Sequence, residues 1–478
     1  MRLLRGSDGQ IEPAHAPTPT LTPAPASTSA RSGTARWKAT PVKLRRPYVS
    51  VTAKFTMAMI FTFGWVALSV WISSAWVDEL DALTGPVLAW TIVVLIAYLP
   101  GAIVAFLAVS LVLDRQPPLH MESPMTPLTV IIAARNEERG IGETIAAISR
   151  TDYAGPVTII LADNGSTDGT CDAARETAAA LDVSLQIISE LTPGKSNALN
   201  AALEHVETPY AVTVDADTIL HPESLRRLVS RLGSAPSDTA AVAGTVLVGN
   251  SRVNLLTKMQ EWDYYLGIAV VKRMQGLYQA TLVAQGAFSL YLTAEVRRVG
   301  GWPDAIGEDS VLTWRLMDKG ARVYFEPLAI GVTSAPETFR AFSRQRARWA
   351  RGMIEGLRTI PPWRHQGGIA KVLTGIDLVI PLLDTSYMFL WLPGLVLACF
   401  GHFWIVGPMT TAVIPLTMFV YGLLFHFQKK HVFTPLRLRV RRDITGLVLF
   451  VFVYRFFMSL FSIIGYVQEL TQRSRSWK

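Results

Sequence analysis

Five clusters in this sequence hold residue types that do chemistry. Asp215-x-Asp217 follows the apolar run Tyr210 to Val214. Two carboxylates at a strand end and in the loop after it supply hard oxygen ligands for a divalent cation, Mg²⁺ or Mn²⁺, with a substrate diphosphate completing the shell. The same pair also suits a turn, or an N-cap for the helix near Pro222. Asp163-Asn-Gly-Ser-Thr-Asp-Gly-Thr170 is a turn rich in helix-capping types. Its chemical alternative is that Asp163 accepts hydrogen bonds from a nucleotide base or ribose. Gly194-Lys195-Ser196 looks like the end of a phosphate loop, but the preceding Gly at the required spacing is missing, which excludes that loop. Lys195 stays a candidate phosphate contact, against the plain alternative of a solvated loop lysine.

Gly307-Glu308-Asp309 follows the turn cluster Gly300-Gly301-Trp302-Pro303 and precedes the helical run Ser310 to Asp318. A carboxylate at a helix start is ordinarily a cap. It also suits a general base that takes a proton from an acceptor hydroxyl. Gln345-Arg346-Ala347-Arg348-Trp349 is the most unusual run. Arg344, Arg346, Arg348 and Arg351 place cations around most of a helix, and the plain expectation is a solvated basic face. A forked guanidinium beside an indole equally suits an anionic diphosphate next to a sugar ring. Mixed basic and aromatic residues also suit single-stranded nucleic acid, but that leaves the apolar segments described below without a role, so nucleic acid is set aside.

The elements that position these clusters alternate. Leu128 to Ala134 is an apolar run, followed by a helical pattern to about Arg150. Val157 to Ala162 is a second run, then a helix, then a strand near Ser184 to Ile188. Lys195 to His205 is helical and Tyr210 to Val214 is a strand. This order predicts an α/β domain with a mostly parallel sheet covered on both faces. Ligands of such sheets bind outside the carboxyl ends of the strands, where three of the runs end in polar clusters.

The domain is set between apolar segments. Of 478 residues, 50% are hydrophobic and only 17% charged, with a mean hydropathy of +0.30. That is too apolar for a disordered chain and points to lipid-facing segments. Cys171 and Cys399 are the only cysteines, so neither a disulfide framework nor a Cys-based metal site is expected. Residues 1–53 form a polar arm, rich in Pro, Thr, Ser and Ala and basic from Lys38 to Arg45, which predicts disorder and attraction to anionic lipid. Residues 54–114 hold two uncharged stretches separated by Asp78-Glu79-Leu80-Asp81, enough for two membrane helices. The cations precede the first span, so the arm and the domain over residues 118–366 should be cytoplasmic. Residues 369–470 predict an interfacial helix over Ile369 to Leu383, two spans within the uncharged stretch Thr385 to Gln428, a basic loop, and a last apolar segment from Ile444. A single crossing by that last segment would put the basic tail outside, against the charge rule.

The motifs, taken together, resemble those of membrane-integrated family 2 glycosyltransferases of the processive kind. The resemblance runs from about Leu128 to Gly356, in the order Asp163, Asp215-x-Asp217, Glu308-Asp309, Gln345-x-x-Arg348-Trp349. The segments Val246 to Tyr278 and Pro336-Glu337-Thr338 are most similar to bacterial poly-β-1,6-N-acetylglucosamine synthases. The resemblance implies a GT-A fold in a multi-pass membrane protein. It implies transfer from a UDP-sugar donor, most simply UDP-N-acetylglucosamine, to a growing β-linked glycan acceptor. It assigns Asp309 as base beside Glu308, Asp217 as ligand of Mg²⁺ or Mn²⁺, and Asp163 and Asp215 as nucleoside contacts. It gives Gln345 and Arg348 to the diphosphate and Trp349 to the acceptor sugar. It allows a small accessory membrane subunit. Two rivals share parts of the pattern: a single-transfer enzyme acting on a membrane lipid, and an export scaffold with a degenerate domain. The chain departs from the group in its long Pro/Thr/Ala arm, in showing no recognisable gating-loop motif, and at Gly307, where the group often has Thr; the last predicts a looser loop around the base.

Overall fold

The computed structural model describes residues 49–119, 123–438 and 443–472. The arm up to Tyr48, residues 439–442 of the basic loop, and the basic tail from Arg473 lie outside the described residues.

One eight-stranded sheet organises the central domain. Its strands are β1 (Leu128–Ala134), β2 (Val157–Asp163), β3 (Leu185–Ser189), β4 (Tyr210–Asp215), β5 (Ile219–Leu220), β6 (Thr239–Val248), β7 (Phe288–Leu292) and β8 (Arg322–Thr333). The order is β3-β2-β1-β4-β7-β6-β8-β5. β1 is a continuous apolar run because both of its faces are covered. Val130 and Ile132 enter one core cluster and Ile131 the other, as a two-residue period requires.

The sheet is mostly parallel, as expected, with antiparallel pairings that the sequence does not predict. β1 to β4 are joined in parallel, but β7 pairs antiparallel with both β4 and β6. The cause is the path into β7. The chain crosses the carboxyl edge of the sheet at Gln285-Gly286-Ala287, where the Asp215 amide donates to the Ala287 carbonyl at 3.3 Å. It then enters β7 opposite the end of β4, pairing Phe288 with Val214, and has only one direction in which to run.

β1 lies between β2 and β4: the chain leaves β1 toward β2 and β3, then crosses back past β1 to β4 on its other side. That reversal is a topological switch point, where a crevice opens outside the strand ends. The register places Asp163 beside Ala134 and Asp215 beside Ala133, so the acidic ends of β2 and β4 flank the same crevice.

Among the described residues, five helices are long and apolar enough to cross a membrane: Val51–Ile72, Pro86–Val112, Gly368–Cys399, Thr410–Phe433 and Ile444–Leu470. They expose large apolar side chains such as Phe63, Trp71 and Phe400. The sequence divides Ile369 to Leu383 from the span after it; in the structure Gly368–Cys399 is one continuous helical run. Ile444–Leu470 touches the central domain near both of its ends. At its start the Trp262 indole donates to the Asp443 carbonyl at 3.2 Å, farther along Tyr454 donates to Asp263 at 2.8 Å, and near its end Glu469 accepts from Arg351 at 3.1 Å. Between them it meets Gly368–Cys399, where Ser459 and Tyr466 each donate to Asp384 at 2.8 Å and Arg455 at 3.1 Å.

Candidate active site

Local structure builds the crevice from three loops. After β1, Asn136 takes a left-handed conformation, which Asn tolerates, and its Oδ1 accepts from the Thr167 amide at 2.8 Å. The loops after β1 and β2 are thereby knitted together. Asn164 donates to the carbonyls of Glu190 and Thr192 at 2.9 and 2.8 Å and accepts from the Gly194 amide at 2.9 Å. Those bonds shape the turn that opens the helix Lys195–Glu204 with Lys195 at its first position.

Lys195 reaches into the crevice. Its Nζ lies 2.5 Å from Asp215 Oδ1 and 3.9 Å from Glu308 Oε1. Burial opposes its charge, but Asp215 and Glu308 outweigh burial and hold its pKa above the usual lysine value. Burial pushes Glu308 up to about 7, with Asp309 adding to the rise and Lys195 opposing it. A Cβ on Gly286 would come within 3.0 Å of Lys195 Nζ. The bare backbone is what lets this loop approach so closely.

Asp309 is not a helix cap. It stands in the first turn of the helix Glu308–Asp318, whose N-cap position is Gly307 without a side-chain cap bond. Its Oδ2 accepts from the Gly286 amide at 3.2 Å and its Oδ1 from the Ser310 amide at 2.7 Å. Two backbone donors therefore fix the carboxylate at the mouth of the loop leading into β7. Gly307 overturns the expectation of a loose loop. A Cβ there would meet the Gly352 backbone at 2.9 Å, so the missing side chain lets the Glu308–Asp318 helix seat tightly on Phe339–Thr359.

Asp217 lies beside this cluster. Burial raises its pKa, Asp215 adds to the rise, and hydrogen bonds from Thr333 (3.1 Å) and the Ser334 amide oppose it. Burial also raises Glu137, at the end of β1, with Asp217, Asp215 and Asp168 contributing. Crowded carboxylates that raise one another's proton affinity are a hard-oxygen donor set that a divalent cation would relieve. Among the described residues no three His, Cys, Asp or Glu side chains converge on a ready-made metal shell. The fit therefore depends on Asp217 together with oxygens brought by a ligand such as a diphosphate.

The other sequence candidates divide. Asp163 lies buried at the same edge, where its carboxylate accepts from the Ser166 amide of its own turn at 3.3 Å. Arg348 is exposed on Phe339–Thr359, near enough to Glu308 to act on its charge. Gln345 Oε1 is buried with no hydrogen-bond partner, an acceptor still open to a ligand. Trp349 is 36% exposed and packs against Tyr264, with ring centroids 6.1 Å apart. Arg346 departs from the expected solvated basic face, being buried beneath Trp349.

Sequence motifs missed Glu137 and Lys272 as site neighbours. Burial lowers the Lys272 pKa to about 8, opposed by Asp309. Nothing in the spacing of Lys272-Arg273 points at a carboxylate more than thirty residues downstream.

Comparisons with known proteins bear on the domain that carries this site. Residues 124–352 match the family described as "Glycosyltransferase like family 2". Poly-beta-1,6-N-acetyl-D-glucosamine synthase of Staphylococcus aureus (strain COL) is 30% identical over 246 residues, 51% of this chain and 58% of that protein. The Staphylococcus epidermidis protein of the same name is 29% identical over 231 residues, 48% and 55% of the two chains. The chain thus spans a little over half the length of these curated relatives. Among solved structures, the mannosyltransferase PcManGT from Pyrobaculum calidifontis, in complex with GDP-Man and Mn²⁺, shares the fold. Its TM-score is 0.52 at 20% identity, covering 89% of this chain and all of that one. Residues 124–352 are therefore a family 2 glycosyltransferase domain of GT-A type, set between helices apolar enough to span a membrane.

Proposed function

We propose that this chain is a polymerising, inverting glycosyltransferase of the cell membrane. It transfers a sugar, N-acetylglucosamine, from a UDP-sugar to a growing β-linked glycan and feeds the product across the bilayer. The observation that carries this reading is the convergence of Lys195, Asp215, Glu308 and Asp309 at the switch point of the sheet, beneath the helix that bears Gln345, Arg348 and Trp349. The relatives' names support the sugar.

Asp163 and Asp215 hold the nucleoside, and Lys195, Gln345 and Arg348 face the diphosphate. Asp217 would hold Mg²⁺ or Mn²⁺, which when bound offsets negative charge on the UDP leaving group. Asp309 takes the proton of the acceptor hydroxyl. The freed oxygen attacks the anomeric carbon from the face opposite the diphosphate. The bond to UDP breaks, UDP leaves with the electron pair, and the configuration inverts. Trp349 offers the acceptor sugar a flat apolar surface.

The charge rule gives the topology. The arm, the catalytic domain and the loop from Lys429 lie in the cytoplasm. The helix Gly368–Cys399 has 32 residues, about 48 Å at 1.5 Å per residue against a hydrocarbon core of roughly 30 Å. It is therefore longer than the core it crosses, and its excess length stands on the cytoplasmic side. Ile444–Leu470, held to the catalytic domain near both ends, lies along the membrane surface, which keeps the basic tail inside.

The test is incubation of membranes carrying the protein with each labelled UDP-sugar, followed by linkage analysis. The expected result is a β-linked polymer from UDP-N-acetylglucosamine. A single sugar on an extracted lipid would replace polymerisation with the lipid-acceptor reading.

A further inference from the structure

We propose that Arg346 is a positioning residue: it fixes the Trp349 indole and ties that acceptor platform to the helix Ile444–Leu470. This rests on the role given to Trp349 above. Arg346 occupies an unspecified position within Gln345-x-x-Arg348-Trp349 and precedes Trp349 by three residues, so the two side chains share one helix face.

Arg346 is 1% exposed. Its Cζ lies over four rings, at 4.2 Å from the centroid of Trp349, 5.0 Å from Phe342, 5.8 Å from Tyr454 and 5.9 Å from Tyr264. Nη1 lies 2.9 Å from Asp263 Oδ2, and the same oxygen accepts the Tyr454 hydroxyl at 2.8 Å. Nε and Nη2 have no hydrogen-bond partner; their surroundings are aromatic. A buried cation with one carboxylate is costly, and an apolar side chain of equal size would pack the same box. The cation has a use that packing alone does not supply. Its planar group covers one face of Trp349, leaving the rest of the indole at the surface.

The partners come from three elements. Trp349 and Phe342 belong to Phe339–Thr359, Asp263 and Tyr264 to the helical run 255–277, and Tyr454 to Ile444–Leu470. Phe339–Thr359 and Ile444–Leu470 are also in close contact farther along, where a Cβ on Gly465 would meet Ala350 Cβ at 2.8 Å. A displacement of Ile444–Leu470 therefore moves Tyr454, Asp263 and the guanidinium as a unit, and with them the tilt of the ring. A merely packed Trp349 would not be coupled to the membrane in this way.

Arg346→Lys is the decisive variant, because it keeps the charge but cannot cover a ring while pairing with Asp263. Three quantities are measured on detergent-solubilised full-length protein: polymer length and yield, UDP release by water in the absence of acceptor, and thermal midpoint. Misplacing an acceptor costs rate without touching water attack. The expected result is an approximately tenfold fall in elongation relative to hydrolysis, with shorter products and a midpoint close to the parent's. Tyr454→Phe, which removes only the hydroxyl to Asp263, should shift the same ratio by about two- to threefold. A parent-like product length in folded Arg346→Lys overturns the proposal. So does a joint fall of elongation, hydrolysis and midpoint, which marks a structural role only. In a Trp349→Ala background, Arg346→Lys should add little further loss of elongation. A further full tenfold loss there means that Arg346 acts elsewhere, which sinks this inference while the platform reading stands. Unimpaired elongation in Trp349→Ala alone sinks the platform reading, and this one with it.

Discussion

The crevice at the ends of β1, β2 and β4 and the buried face of the helix Phe339–Thr359 both concentrate charge, and they treat it in opposite ways. In the crevice, Glu137, Asp215, Asp217, Glu308 and Asp309 lie within reach of one another's fields, and burial raises Glu137, Asp217 and Glu308. Lys195 is the cation shared between Asp215 and Glu308. On the helix, Arg346 is matched to Asp263 and Arg351 to Glu469. Charges that crowd and perturb one another are poised for a ligand, whereas charges paired one to one hold elements together. By that criterion the acidic crevice is poised for a ligand, and the basic motif, which looked uniform in the sequence, splits into Arg348, exposed beside the crevice, and Arg346 with Arg351, which are paired to other elements.

The sharpest way to break this contrast is Asp309→Asn. The amide keeps size and can still accept from Gly286, but it cannot take a proton. General-base loss costs about 10²–10⁴-fold in rate. Transfer should fall by that much while UDP affinity, measured by calorimetry, stays near the parent value. Near-normal turnover would remove Asp309 from the base role, and a parallel loss of UDP affinity would move it to the nucleotide site.

Asp217→Ala should come next. Losing a carboxylate ligand should cost at least the roughly 10–100-fold in metal affinity that outer-shell changes cost. UDP release should stay depressed across a Mn²⁺ titration that saturates the parent. Full parent activity in excess chelator would show that no divalent cation is needed.

Gly307→Thr tests how the crevice is joined to the helix. The added Cβ would meet the Gly352 backbone, and overpacking of this kind costs about 1–3 kcal/mol. A lowered thermal midpoint together with reduced transfer is expected, with partial recovery impossible by side-chain repacking alone. An unchanged midpoint would mean that the two helices separate freely.

Much of the crevice was legible from sequence because it is built on short-range rules. Strand runs ending in Asp163 and Asp215, and a helix beginning at Lys195, follow from apolar periodicity and turn chemistry. The sheet's antiparallel insertion was not legible, because β7 is five residues long and its direction is set by the loop at Gly286, not by composition. The burial of Arg346 was hidden for a different reason. Its partners, Asp263 and Tyr454, lie on either side of it in sequence, about 80 and 110 residues away. No local pattern distinguishes it from Arg344 or Arg348.

The smallest expected effect concerns an acid of the crevice whose titration falls near neutrality. Glu308 is pushed up to about 7, burial being the main cause. Below pH 7 it is protonated, and Lys195 loses one of its two carboxylate partners. Donor binding in the free enzyme should weaken, so kcat/KM should fall by roughly tenfold from pH 8 to pH 6, reporting the free enzyme's ionisation. Stability runs the other way. With its folded-state pKa above the ordinary carboxylate value, the folded protein binds this proton more tightly than the unfolded chain does. The group's contribution therefore grows as pH falls from 7 toward 4.5 and is lost as pH rises through 7. Lost activity at pH 6 through this group is thus not unfolding, and a thermal midpoint recorded at the same pH values separates the two. Glu308→Gln should flatten the kcat/KM profile between pH 6 and 8. If the limb persists in that variant, another group sets it, and the pairing of Lys195 with Glu308 is structural, as it is for Arg351 and Glu469.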